Sequence, residues 1–311
     1  VVLGKRAGHE ADLMYLRIAG YYIPMIIGGF TVAILMAVQG KKLIDRSYWK
    51  YALRFSLPLI PEVLSIQIMN QADKLMVTRM VGDIPGSIFA VATTVSYIIW
   101  ILEDSVWNAW LPWMYEKIAR DEAGEIRGSW STLMHGFGVI SWVLVLFAPE
   151  IILILGGKKY ADAVWLIAPM VTGTLFRFYS YSYTAIQNFH KKTKFVAIST
   201  VSVMFLNVFL NYVGIRAFGY QAAAYTTAFS YLVLMIMQAF MEKRLTGTQI
   251  IPLSTTLCIS CAYFITCVVT MAAFRFPFWG RCILALIAAP IALWYFLPRL
   301  KSIRMLMKKK K

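Results

Sequence analysis

The chain has 311 residues, of which 59% are hydrophobic and only 15% charged, and its mean hydropathy is +0.64. Soluble domains carry about 25% charged residues, so this composition excludes one or two ordinary soluble domains and predicts a membrane protein. A net charge of +16 would indicate nucleic acid in a soluble protein. Here the basic residues fall between apolar runs, and we expect no nucleic-acid partner.

Nine apolar runs, each bounded by charge, glycine or proline, predict nine transmembrane helices. They cover residues 18–38, 53–78, 87–110, 132–153, 162–185, 195–214, 220–240, 252–273 and 281–298. In lipid, only a helix satisfies every backbone group over such runs, and no segment shows the roughly ten-residue alternation of a membrane barrel. The predicted fold class is all-α, a polytopic membrane helix bundle.

Lysine and arginine are distributed unevenly over the connections between these runs. Alternate connections, together with the segment after residue 298, hold 20 of the 31 basic residues, whereas the other set holds 10. Short cytoplasmic loops carry the excess of positive charge in membrane proteins. The bias therefore predicts a cytoplasmic C-terminus.

The second predicted span is the most unusual, because it holds Pro58, Pro61, Glu62, Asp73 and Lys74 in one apolar run. Glu62 and Asp73 are eleven positions apart. Each residue turns an α-helix by about 100°, so their side chains point to within about 20° of the same direction. Both carboxylates should therefore face protein or water. The alternative is that Asp73 and Lys74 mark the outer end of the helix and pair or reach the membrane surface.

The third predicted span carries one polar and aromatic stripe. Tyr97, Trp100 and Asp104 recur at helical spacing, with Thr93 and Asn108 on the same stripe. Aromatic faces beside carboxylates suit sugar rings, whose C–H faces stack while their hydroxyls donate to acids. The stripe predicts the wall of a sugar-binding cavity, and a contact between helices is the alternative.

The fifth predicted span places Arg177 and Tyr181 four residues apart in a tyrosine-rich stretch. An arginine below the membrane surface is costly unless it is paired or hydrated. Its functional role would be to hold a phosphate or diphosphate in a fork of N–H donors. The alternative is a structural pair with an acid such as Asp104 or Asp73.

The sequence contains no phosphate-binding loop, HExxH motif or nucleophile elbow, and its three histidines fall in separate segments. We therefore expect no catalytic residue, no metal ion and no cofactor. The protein is predicted not to be an enzyme.

Several segments resemble, in the same order, those of bacterial polysaccharide (oligosaccharide-lipid) flippases. They are LPLIP at 57–61, the pair Asp73 and Lys74, GGKKYADA at 156–163, HKKTK at 190–194, the pair Asn207 and Asn211, and FGYQAAAYTTAFSY at 218–231. These flippases belong to the multidrug, oligosaccharidyl-lipid and polysaccharide exporters, which include the multidrug and toxin extrusion (MATE) proteins. Such exporters have two six-helix lobes around a central cavity.

The resemblance implies a division of the chain. Residues 1–40 would hold the last helix of a first lobe, 41–250 a second, MATE-like lobe, 251–298 an appended helix pair and 299–311 a basic cytoplasmic tail. It also implies that the sequence is truncated at its N-terminus, because the first five helices of the first lobe are absent.

The implied function is a flippase that moves a polyprenyl-diphosphate-linked oligosaccharide across the bacterial cytoplasmic (inner) membrane for cell-surface polysaccharide synthesis. Membrane lipids and glycan-assembly proteins would be partners, and H⁺ or Na⁺ the coupling ion, acting through Asp73 or Glu62. The predicted substrate-binding residues are Glu62, Asp73, Lys74, Tyr97, Trp100, Asp104, Arg177 and Tyr181.

Two alternative functions remain, one within the same superfamily and one from another functional class. An exporter of amphipathic cations, as in the MATE proteins, would use an acidic and aromatic cavity without a basic residue that binds phosphate, so Arg177 counts against it. A membrane polysaccharide polymerase or ligase needs a sizeable external loop. The predicted external connections between spans are all under about 15 residues, which disfavours an enzyme of this kind.

Overall fold

A computed structural model describes residues 10–40, 45–57, 59–247 and 249–290. Over these residues the chain is helical and contains no strand, which confirms the all-α prediction. The helices are α1 (Glu10–Gly40), α2 (Arg46–Ser56), α3 (Leu59–Met80), α4 (Asp83–Ala119), α5 (Ala123–Leu146), α6 (Ala148–Gly156), α7 (Val164–Phe189), α8 (Thr193–Phe218), α9 (Ala222–Thr246), α10 (Leu253–Thr270) and α11 (Phe278–Pro290). Short 3₁₀ segments, Lys158–Ala163 and Met271–Arg275, precede α7 and follow α10.

Six of these helices are long and apolar enough to cross a membrane, so the protein is a multi-pass membrane protein. They are α1, α4, α5, α8, α9 and α10. Although α3 and α7 have 22 and 26 residues, neither is among the six. These two helices carry Asp73 and Arg177, and their polar content accounts for two of the three predicted spans that are not among the six. The third, 281–298, lies only partly within the described residues, where its helix ends at Pro290.

The chain divides into two compact units, residues 1–54 and 55–311. In the first unit, the apolar part of α1, Ile18–Gly40, has no buried residue. A helix that is apolar on all sides is suited to contact with lipid. Helix α2 begins after Asp45, whose Oδ1 accepts the Ser47 backbone N–H at 3.0 Å. This N-terminal cap lowers the pKa of Asp45 below its ordinary value.

Two predicted spans are interrupted in the structure. The run predicted at 53–78 is divided between α2, which ends at Ser56, and α3, which begins at Leu59. The run predicted at 132–153 is divided at Phe147, where α5 ends and α6 begins with Pro149 in its first turn. Pro58 disfavours helical backbone in Leu57, the residue before it. Pro149 has no N–H to donate to the Val145 oxygen, so a helix continuous through Phe147 would lose one hydrogen bond. Pro58 itself lies outside the described residues, as do the end of the last predicted span and the tail 299–311.

The second unit is a bundle in which α9 packs against α7 and α8, α3 against α8 and α4, and α4 against α7. Helix α10 packs against α5 and α7. Small residues allow the closest approaches. A Cβ atom on Gly173 of α7 would lie 3.2 Å from Cα of Ala228 on α9, and one on Gly138 of α5 would lie 2.3 Å from the Tyr263 ring of α10.

The buried apolar side chains form two large clusters, one toward each end of the bundle. Along α4, the first cluster ends at Ile99 and the second begins at Trp110. Glu103, fully buried, lies between them. A polar layer is therefore placed between two apolar layers, at the middle of the bundle.

Candidate functional site

A small cavity lies between α3, α4, α7 and α9, within the second unit. Its polar and aromatic lining residues are Asn70, Asp73, Thr93, Ser96, Tyr97, Trp100, Thr174, Arg177, Thr227 and Tyr231. The cavity volume is about 60 Å³, which accommodates a few water molecules. Sites for small organic ligands occupy about 300–1,000 Å³, so the cavity in this conformation is closed to a sugar.

Asp73 lies at one side of this cavity and is only 6% exposed. Its Oδ1 accepts a hydrogen bond from Asn211 Nδ2 on α8 at 2.6 Å, and its Oδ2 accepts one from the Thr227 hydroxyl on α9 at 2.7 Å. Asn207 Nδ2 donates to the Thr227 oxygen at 2.9 Å. Neutral donors from two helices thus fix the carboxylate, and it forms no ion pair with any described residue.

Asn207 and Asn211 form hydrogen bonds between helices around Asp73. Both asparagines are fully buried. The Thr226 hydroxyl donates to Asn211 Oδ1, which leaves the Asn211 amide to donate to Asp73. The three helices α3, α8 and α9 are therefore joined through one carboxylate.

Arg177 lies at the other side of the cavity and is 2% exposed. Its Nη2 is 3.2 Å from Glu103 Oε2 and 3.8 Å from Asp104 Oδ1, and its Nη1 donates to the Tyr181 hydroxyl. The guanidinium carbon lies 4.2 Å from the centre of the Trp100 ring, within the range of a cation–π contact. Trp100 Nε1 in turn donates to Asp104 Oδ2 at 2.7 Å.

Three polar atoms in this layer are buried without a hydrogen-bond partner among the described residues. They are Arg177 Nε, Glu103 Oε1 and Asn70 Nδ2. Buried polar groups are normally satisfied, and exceptions concentrate at places that bind water, ions or ligands. The unsatisfied atoms therefore support the polar layer as the candidate functional site.

The structure brings most of the predicted site residues together. Asp73, Tyr97, Trp100 and Arg177 line the cavity. Asp104 and Tyr181 contact Arg177 from outside the lining.

The other two predicted residues lie elsewhere. Glu62 is half-buried on the same face of α3 as Asp73, as the helical spacing predicts, but does not line the cavity. Lys74 is exposed, because one residue along a helix turns the side chain by about 100° away from Asp73. It also does not line the cavity.

Glu103 is the site residue that sequence reasoning missed. The predicted stripe runs through Trp100 and Asp104, whereas the buried face of α4 runs through Ser96, Ile99 and Glu103. Glu103 is fully buried and Asp104 has a side chain that is 45% exposed, so Glu103 is the main counter-ion of Arg177. Two adjacent acids in an apolar run were the available signal, but the sequence could not show which one faces the arginine.

The charges of the site are not balanced. Arg177 is the only basic residue in the cavity lining, whereas Asp73 lines it and Glu103 and Asp104 contact Arg177. With all groups ionised the site has an excess of negative charge. Such a site can bind a cation directly. It can bind an anion only when Arg177 no longer pairs with Glu103 and Asp104.

Among the described residues, no group of three or more His, Cys, Asp or Glu side chains is arranged to hold a metal ion. Comparison with protein-family models finds no match to the chain, and neither the curated proteins nor the solved structures give a significant match. The resemblance to the flippases therefore stays a prediction.

Proposed function

We propose that the protein belongs to the polysaccharide flippases and translocates a polyprenyl-diphosphate-linked oligosaccharide across the bacterial cytoplasmic membrane. The observation that supports this proposal is Arg177, a buried arginine on the wall of an internal cavity of a multi-pass membrane protein. Ionisable residues inside a membrane bundle line pathways or cavities more often than they serve packing. The cytoplasmic location of the C-terminus remains a prediction from charge.

The diphosphate would bind Arg177. Its Nε has no partner among the described residues, and Nη2 is only 3.2 Å from a carboxylate that a phosphate could replace. Guanidinium groups bind phosphate oxygens in a bidentate manner. Phosphate binding would exchange the bond to Glu103 for a stronger pair of bonds and would free Glu103 from Arg177.

The first sugar would lie against Tyr97 and Trp100, whose rings are 4.9 Å apart at the cavity wall. Asp104, beside them and half-exposed, would accept sugar hydroxyl groups. Because the cavity of about 60 Å³ is too small for a sugar, substrate binding requires α3 and α4 to move apart from α7 and α9.

Asp73 would bind the coupling ion, H⁺ or Na⁺. Its two oxygens are held by neutral donors, and it has no basic partner among the described residues, so a cation would offset the cost of its buried charge. Thr227 belongs to α9 and Asn211 to α8, so binding of an ion at Asp73 would alter the contacts of both helices with α3.

The second candidate function is export of an amphipathic cation, and the excess of acids around Arg177 favours it. Glu103 and Asp104 already neutralise the arginine, and Asp73 adds a further negative charge to the same cavity. An aromatic cavity with net negative charge attracts organic cations through carboxylates and ring faces.

Transport by the full-length gene product in proteoliposomes separates the two functions. We expect translocation of a fluorescent lipid-linked oligosaccharide, with loss of at least about 10-fold in rate for Arg177→Gln, since a charged hydrogen bond contributes about 1.5–3 kcal/mol. Arg79→Gln, an exposed arginine of α3, is the control and should retain the rate. Ethidium transport without oligosaccharide translocation would contradict the flippase and support the cation exporter.

A further inference from the structure

A second and larger cavity, of about 390 Å³, lies at one end of the bundle. It is formed where three connections meet, between α4 and α5, between α7 and α8, and between α9 and α10. Its volume falls in the range of sites for small organic molecules. The sequence analysis did not identify this site, and the proposed transport function does not use it.

The lining of this cavity is amphipathic. Ile118, Ile126, Ile186, Leu245 and Ile250 supply its apolar side chains, and Asp121, Arg127, His190, Thr246 and Gln249 its polar ones. Polar and apolar groups contribute in nearly equal measure. A ligand that fits such a lining has an apolar part and a polar part, as a lipid headgroup region does.

Arg127 is positioned to bind an anion in this cavity. Its Nε donates to the backbone oxygen of Ile250 at 2.6 Å, which fixes the direction of an otherwise exposed side chain. Its terminal nitrogens form no hydrogen bond or ion pair with any described residue. The two terminal NH2 groups, with four N–H bonds in one plane, remain available, and that arrangement matches phosphate oxygens.

The acids near this cavity are largely committed to other partners. Lys117 pairs with Glu122 and Glu125, and Glu116 pairs with Arg120. Buried Glu242 accepts the backbone N–H of Ile250 at 3.1 Å and is not a lining residue. Asp121 is therefore the acid that lines the cavity.

Basic residues outnumber the available acids at this end of the bundle. Lys192, Lys194, Lys243 and Arg244 lie in or next to the same connections and form no ion pair within the described part of the chain. The local potential is positive. The charge distribution along the sequence also predicts that these connections are cytoplasmic, on the side where anionic lipids attract basic segments.

We propose that this cavity binds the phosphate ester of an anionic phospholipid, with Arg127 holding the phosphate and the apolar lining residues contacting the glycerol and first acyl carbons. Binding at this place would tie the α9–α10 connection to α5 and to the lipid surface, because Arg127 and Ile250 are joined by a hydrogen bond. The proposal does not depend on what the protein transports.

Native mass spectrometry of the full-length gene product tests this site with dioleoylphosphatidylglycerol as the probe and dioleoylphosphatidylcholine, a zwitterionic phosphate ester with no net charge, as the comparison. We expect Arg127→Gln to weaken retention of phosphatidylglycerol by about 10-fold or more, as expected for loss of charged hydrogen bonds. Arg244→Gln removes the same charge from an exposed residue outside the lining, and it should change retention by less than about 2-fold.

Equal losses in Arg127→Gln and Arg244→Gln would overturn the proposal, because they would show attraction to surface charge rather than binding in the cavity. Displacement of phosphatidylglycerol by millimolar inorganic phosphate would overturn the lipid as the source and leave a free phosphate as the ligand. If Arg127→Gln does not fold, His190→Glu provides the second test, since His190 is exposed and lines the cavity. Unchanged lipid retention in this variant would likewise overturn the proposal.

Discussion

Glu103 and Arg177 form an ion pair with an N–O distance of 3.2 Å, and both side chains are almost completely removed from solvent. The two residues come from α4 and α7, so the pair joins two helices across the wall of the central cavity. Substitution of one partner alone leaves a buried charge without its counter-ion, which makes this pair the most sensitive point of the polar layer.

Glu103→Gln should lower the thermal stability of the protein far more than Asp104→Asn. Loss of one partner of a buried ion pair costs about 3–5 kcal/mol, whereas a half-exposed acid at 3.8 Å contributes about 0–1 kcal/mol. Thermal unfolding of both variants in the same detergent measures the difference. Equal losses of stability would show that Glu103 is not the main partner of Arg177.

The double variant Glu103→Gln with Arg177→Gln should recover most of the stability that Glu103→Gln loses. Replacement of both partners by neutral groups leaves no buried charge without a partner, since Asp104, which also contacts Arg177, is half-exposed. Transport of a phosphate-bearing substrate should remain low in the double variant because Arg177 is absent. Recovery of transport along with stability would show that the arginine has a structural role only.

Asp73→Asn should abolish the dependence of transport on an H⁺ or Na⁺ gradient while the protein remains folded. The substituted amide oxygen can still accept the Thr227 hydroxyl, so one of the two contacts that hold position 73 is retained. Asp162→Asn, an exposed acid before α7, is the matched control and should keep the ion dependence. Rates measured with and without the imposed gradient provide the test, and unchanged ion dependence in Asp73→Asn would remove this residue from coupling.

Gly138→Ala should loosen the contact between α5 and α10. A Cβ atom at this position would lie 2.3 Å from the Tyr263 ring, closer than side-chain contacts allow, and overpacking of this kind costs about 1–3 kcal/mol. Gly128→Ala on the same helix is the control, because no atom lies within 4 Å of its added Cβ. Thermal unfolding should show a lower midpoint temperature for Gly138→Ala than for Gly128→Ala.

A double variant tests whether the loss in Gly138→Ala comes from the contact between α5 and α10. Combining Gly138→Ala with Tyr263→Ala removes the ring that the new methyl group would meet. The double variant should therefore lose less stability than the sum of the losses in the two single variants, as is usual for residues in contact. If the two losses of stability simply add, the new methyl group does not meet the Tyr263 ring.

The helical fold followed from the sequence because apolar runs in a membrane have few structural solutions. The sequence offered an ion pair of Arg177 with an acid such as Asp104 or Asp73 only as the alternative to a phosphate site. It could not distinguish Glu103 from Asp104, since adjacent residues differ by about 100° around a helix and only the partner helix decides which one is enclosed. The same reason explains why Asp73 faces the cavity and Lys74 does not.

Helix ends and cavity size were less predictable. The break at Phe147 depends on how α5 and α6 pack, and the run of apolar residues gave no sign of it beyond Pro149. The second cavity is formed by three connections that are distant in the sequence. Arg127 meets Ile250 across 123 positions, a contact that spacing along one helix cannot reveal.

The low apolarity of α3 and α7 has a consequence for how the protein is made. Neither helix is apolar enough on its own to partition efficiently from the translocation channel into lipid, because each central ion adds about 2.5–3.5 kcal/mol to insertion. Once α3 lies beside α8 and α7 beside α4, Asp73 and Arg177 are enclosed by their partners. During synthesis α3 must therefore wait at the channel until α8 is made, whereas α7 follows α4 and can insert beside it.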